Sequence, residues 1–183
     1  MLPNPLHPAI VHFPIVLAFL LPIFSFGALW AIRRGARFRR AWGIPLALSA
    51  ALALSSWVAV ETGEGQEDRV ENVVSHQAFD AHEDAAELFL TLSGVLLVVT
   101  GAGLVGGVIG RSARVAATVG AAALVVAVVR VGHTGGQLVY RDNAASVYAD
   151  PAGRRVARDA SSPRDVTPVP ERPRETRRAD TRR

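Results

Sequence analysis

Residues 7–32 read HPAIVHFPIVLAFLLPIFSFGALWAI, and this stretch decides the fold. Ala9 to Ile32 carries no charge. As a helix rising about 1.5 Å per residue it reaches roughly 36 Å, enough to cross a hydrocarbon core of about 30 Å. The run is too long for the apolar region of a secretory signal, and neither a preceding basic residue nor a following small-x-small site accompanies it. It therefore reads as a first membrane span. Pro8 suits a first helical turn, whereas Pro14 and Pro22 lie inside the helix and are expected to bend it. A histidine at the edge of such a span is costly to leave unpaired, so His7 and His12 point to a site.

Working outward, RRGARFRR at 33–40 holds five arginines and reads as a short cytoplasmic loop, which places the N-terminus outside. A second span follows over 41–60, where Ala47, Ala51, Ser55 and Ala59 recur every fourth residue as a small-residue stripe for close helix contact. Residues 61–87 hold nine carboxylates against Arg69 and should lie outside. Asp80 and Glu83 resemble a capping box opening the third helix, with a span expected over 85–110. Arg111 and Arg114 mark the next cytoplasmic turn, and a fourth span is expected over 115–140. The expected fold is thus all-α, a polytopic integral membrane four-helix bundle over 1–149, with both termini outside the cell membrane.

Composition divides the chain in the same way. Ten Arg balance ten acidic residues up to Ala149, whereas 150–183 holds ten Arg and six acids and supplies the whole net charge of +4. That tail, rich in Arg, Asp, Pro and Ser, has little to bury and is expected to be disordered. Its mixed charge argues against nucleic acid as a partner, leaving the lipid bilayer, a redox partner or a second copy of the chain. The absence of cysteine excludes a disulfide framework, a thiolate metal site and a protein-held iron–sulfur cluster. A metal or haem would depend on His, carboxylate or Tyr. Gly101, Gly103 and Gly106 form G-x-G-x-x-G, but no strand precedes them. Close helix packing is the expected reading, with Gly106 and Gly110 as G-x-x-x-G.

All five histidines fall at the outer side of this topology. Counted from the cytoplasmic ends, His12 stands at roughly 30 Å, His133 at roughly 27 Å and Glu61 at roughly 30 Å, while His82 reaches roughly 42 Å. These heights predict a deep layer of His12, His133 and Glu61 below an upper layer of His7, His82, Glu83 and His76. Two imidazoles from different helices suit the axial positions of a b-type haem. Two His and a Glu suit a non-haem metal ion. A third reading needs no metal and has His12 and His133 hydrogen-bonding Glu61, Gln137 or Thr134. Arg130 is expected to pair with Glu61 or to clamp an anion such as a haem propionate. No nucleophile with an evident base is present, so no enzymatic role is read.

Four segments together resemble a known family: HPAIVHFPIVL at 7–17, Thr62-Gly63, His82-Glu83, and GHTGGQLVY at 132–140. They are similar to the four-span bacterial and archaeal membrane family called domain of unknown function 2231, over about residues 3 to 148. The resemblance implies a polytopic membrane protein with its histidine motifs on one side. Relatives joined to cytochrome c-like domains imply redox surroundings, although the family as a whole has no assigned activity. His7, His12, His82 and His133 match its pattern. Its usual ending resembles LVYRHG, whereas this chain reads LVYRDNAASVY, with Asp142 where a histidine is expected. That departure weakens a ligand role at the end of the fourth helix.

The reading of the whole chain is a bundle that binds haem b, or a non-haem metal ion, near its outer face for electron transfer. His12 and His133 would be the ligands, Arg130 an anion clamp, and His7 and His82 rim partners. A structural or assembly subunit without cofactor is one alternative. An ion transporter is another, opposed by the lack of any intramembrane carboxylate below the outer layer.

Overall fold

The computed structural model describes residues 7–65 and 74–141. The tail at 150–183, Asp142 and residues 66–73 of the acidic loop lie outside the described residues. The described residues form α1 (His7–Ile10), α2 (His12–Arg33), α3 (Phe38–Glu64), α4 (His76–Ala102) and α5 (Gly107–Tyr140). The one-turn α1 runs into α2 as a single span. Pro14 has no N–H for the Ile10 carbonyl, and the helix is interrupted at Val11. His7–Arg33, Phe38–Glu64, His76–Ala102 and Gly107–Tyr140 are each long and apolar enough to cross a membrane.

The helices form a ring in which α2 packs on α3, α3 on α4, α4 on α5 and α5 on α2. The pairs α2/α4 and α3/α5 therefore face each other along the diagonals. All four long helices run between a histidine end, which holds His7, Glu64, His76 and Tyr140, and an arginine end, which holds the two turns. Unlike that of a water-soluble bundle, the surface of the spans is as apolar as the interior, where Leu21, Trp42, Leu52 and Leu124 are buried beside smaller residues. The interior is lined by Ala18, Ser25, Ser49, Ser56, Ser93, Thr100 and Ala121. Phe13, Phe26, Val98, Ile109 and Val126 stand outward, each at least 65% exposed. Lipid leaves no hydrophobic drive between helices, so small and hydroxyl residues that let backbones approach occupy the contacts. Three of their hydroxyls return to their own helix, Ser56 donating to Leu52 (2.8 Å), Ser93 to Phe89 (2.7 Å) and Thr100 to Leu96 (2.7 Å), whereas Ser49 donates to the Thr100 hydroxyl on the neighbouring helix (3.3 Å). No buried side-chain polar atom among the described residues lacks a partner.

Several expectations are corrected. The stripe Ala47, Ala51, Ser55, Ala59 does not face the bundle, because Ala47 and Ala51 are exposed. The buried seam of α3 is Trp42, Pro45, Ser49, Leu52, Ser56 and Ala59. A strict four-residue spacing drifts about 40° per step around a helix, whereas alternating steps of three and four stay on one face. The third helix starts at His76, N-capped by Ser75, ahead of the expected capping box. It ends at Ala102, and the turn to α5 is formed by residues 103–106. The glycine-rich stretch is thus a helix break, with Gly107 at φ 72°. Arg111 and Arg114 fall in the second turn of α5.

Arg114 is buried and holds that break together. Its Nη1 donates to the Gly103 carbonyl, and its guanidinium lies 5.0 Å over the Phe38 ring. Beside it, the Trp42 indole donates to the Thr100 carbonyl at 2.8 Å. Both side chains satisfy carbonyls that the end of α4 would otherwise leave open. The fit is close: a Cβ at Gly103 would collide with the Trp42 indole, and one at Gly110 with the Val105 carbonyl. Gly103→Ala is accordingly expected to destabilise the protein by about 1–3 kcal/mol, measured by thermal unfolding in detergent, with Gly27→Ala, which meets open space, as control.

Candidate functional site

Seven residues separate His7 from Pro14, and seven separate His82 from Phe89. Both Pro14 and Phe89 are buried. Two helical turns return a side chain to within about 20° of the same face, so both histidines belong to the interior seams of their helices. His12 stands two residues before Pro14, about 200° away, and is exposed. The expectation that His12 is the buried imidazole is therefore corrected: His7 and His82 are half-buried, whereas His12 and His133 stand on the outer surface.

Each half-buried imidazole is seated on the neighbouring helix in the same manner. His7 Nδ1 lies 2.8 Å from the Ala59 carbonyl oxygen and 3.5 Å from Thr62 Oγ1. A carbonyl only accepts, so Nδ1 carries the proton. Thr62 spends its own proton on the Val58 and Ala59 carbonyls, at 2.9 and 3.0 Å. The ring covers Gly63, where a Cβ would stand 3.2 Å from its Cε1. On the other side His82 Nδ1 lies 3.0 Å from Thr134 Oγ1. The Thr134 hydroxyl donates to the carbonyls of Val131 (3.0 Å) and Arg130 (3.2 Å), so it accepts from Nδ1–H. This ring covers Gly135, where a Cβ would come within 3.0 Å of Cε1.

The network thus assigns the same tautomer to both residues, with Nδ1–H engaged and Nε2 carrying the lone pair. Both rings stand on the interior seams of helices that face each other across a diagonal, at the same end of the bundle. The ending of α4 at Ala102 accounts for this. Counted from that residue, His82 stands at roughly 30 Å rather than the 42 Å expected from a span reaching Gly110.

The remaining expected residues are dispersed. Glu61 and Arg130 are exposed, on helices that face each other across a diagonal, and no ion pair joins them. His133 contacts Gln137 at 3.0 Å. His12, His133 and Glu61 do not form a cluster, and no group of three or more His, Cys, Asp or Glu side chains able to hold a metal occurs among the described residues. Thr62, Thr134, Gly63 and Gly135 complete the site. The pairing of a Thr-Gly dipeptide with a histidine on the preceding helix was the signal available for them.

Four apolar spans with hydroxyl-lined contacts, and paired histidines at one end, define a polytopic membrane four-helix protein. Residues 3–147 match the family of predicted membrane proteins known as DUF2231, and the chain belongs to that family. No curated protein and no solved structure matches the chain.

Proposed function

We propose that this membrane protein holds one metal centre at its histidine end through Nε2 of His7 and His82, and that the centre transfers electrons. The observation that carries the reading is the paired tautomer. His7 Nδ1–H is taken up from behind by the Ala59 carbonyl beside Thr62, and His82 Nδ1–H by Thr134, leaving Nε2 of each as a ligand of set orientation. Two imidazoles without a third protein ligand fit a haem iron, because the porphyrin supplies four nitrogens and asks the protein only for axial ligands. A two-coordinate copper ion asks for the same pair, and is the non-haem alternative. Haem b with two imidazoles leaves no open coordination position, which suits electron transfer rather than substrate chemistry. Arg130, exposed one turn from Thr134, is a clamp for a haem propionate. His12 and His133, exposed on the adjoining helices α2 and α5, take no part as axial ligands.

The test is an absorption spectrum of the full chain, purified in detergent after expression with ample haem, oxidised and then dithionite-reduced. A Soret band retained in His12→Ala and His133→Ala is the expected result. Neither a Soret band nor stoichiometric copper by elemental analysis would refute the proposal. That outcome favours a structural or assembly subunit, in which the two imidazoles only tie α1 to α3 and α4 to α5. Gly135→Ala, which pushes on the His82 ring, is expected to weaken the centre by about 10-fold or more, as loss of a ligand's supporting contact does.

A further inference from the structure

The two halves of the bundle repeat one pattern of buried positions and carry the same histidine and Thr-Gly in it. A shift of 75 (82 − 7) takes His7 to His82. It also takes the buried Pro14, Ala18, Leu21 and Ser25 of α2 to the buried Phe89, Ser93, Leu96 and Thr100 of α4. A shift of 72 (134 − 62) takes Thr62 to Thr134 and Gly63 to Gly135. It also takes the buried Trp42, Pro45, Ser49, Leu52 and Ser56 of α3 to Arg114, Ala117, Ala121, Leu124 and Val128 of α5, again buried. The same shift takes Ala59, whose carbonyl holds the His7 ring, to Val131, whose carbonyl accepts from the Thr134 hydroxyl beside the His82 ring. It further takes Gly35 (φ 96°) to Gly107 (φ 72°), the left-handed glycines of the two turns.

We infer that the chain is a tandem repeat of one helical hairpin, and that His7 and His82 are one residue in two copies, ligating a single centre on the axis between them. The inference rests on the proposed function and specifies its geometry. The ring order of the helices places α2 opposite α4 and α3 opposite α5, so a half-turn about the bundle axis exchanges the hairpins. Both hairpins begin at the histidine end, which makes them parallel repeats about an axis along the membrane normal. An occupant on that axis meets two equivalent Nε2 atoms on opposite sides. An iron or copper centre held there would be shared by His7 and His82, one from each hairpin, rather than built on one hairpin alone. Thr62 and Thr134 act as equivalent positioning residues, each receiving or flanking one Nδ1–H. The copies diverge on the outer surface, where His12 and Glu61 of the first correspond to Glu87 and His133 of the second.

The test uses the full chain. Titration with haem b, and separately with Cu(I), counts centres, and the absence of native cysteine allows a cross-link in its His7→Cys/His82→Cys double variant. The expected results are one centre per chain, equal loss of it in His7→Ala and His82→Ala, and intramolecular cross-linking of the double variant by a short bis-maleimide. Histidine 15N shifts should report Nδ1–H at both residues, with Thr62→Val and Thr134→Val altering the matching ring while thermal unfolding is unchanged. Loss in both alanine variants but to clearly different extents overturns the equivalence of the two copies while leaving the proposed function standing, whereas two centres per chain, or loss in only one of the alanine variants, overturns both. Absence of cross-linking overturns the axial geometry, and absence of any centre overturns both readings.

Discussion

His7→Ala and His82→Ala are each expected to abolish the bound centre, with affinity falling by at least about 100-fold, beyond the 10–100-fold range for loss of a residue that merely supports a ligand. Each substitution also removes a hydrogen bond between helices, worth about 1 kcal/mol, so lost binding must be distinguished from lost folding. His7→Asn does this, since its side-chain amide retains a donor for the Ala59 carbonyl but offers no nitrogen lone pair. The expected outcome is near-native thermal unfolding with no Soret band and no bound copper. Binding retained in His7→Asn would remove His7 from the ligand set.

The second large effect lies at the opposite end. Arg114→Ala is expected to destabilise the bundle by about 2–4 kcal/mol, combining a charged hydrogen bond of about 1.5–3 kcal/mol with a cation–π contact of about 0.5–2 kcal/mol. The Gly103 carbonyl would be left without its donor at a helix break. Arg114→Lys keeps the charge but lacks the flat face that lies over Phe38, and should recover part of the loss. Thermal and denaturant unfolding in detergent would measure both. An unchanged midpoint in Arg114→Ala would mean that the turn is held by Trp42 alone.

The all-α membrane class was legible because hydrophobic length is a local property. The runs around Ala9–Ile32 and Ala41–Val60 exceed a bilayer core on their own. Helix ends were less legible. Gly101, Gly103, Gly106 and Gly110 read as packing glycines inside a span, yet the chain breaks there, because Gly107 takes a positive φ and Trp42 and Arg114 supply the donors that close α4. That shift of the helix end lowered His82 by about two turns and regrouped the histidines. The choice between His7 and His12 was available in the spacing, since only His7 lies a heptad from Pro14. Depth along the span hid the difference, because it says nothing about which face a residue occupies.

From the sequence alone came four membrane-crossing helices, a charge-balanced membrane region with an arginine-rich tail, and histidines gathered at one end. These follow from composition and length, which act residue by residue. Only the tertiary structure decided which imidazoles are seated, on what, and in which tautomer. Those depend on the Ala59 carbonyl and on Thr62 and Thr134, which lie more than 50 residues from their histidines and meet them only when each hairpin closes.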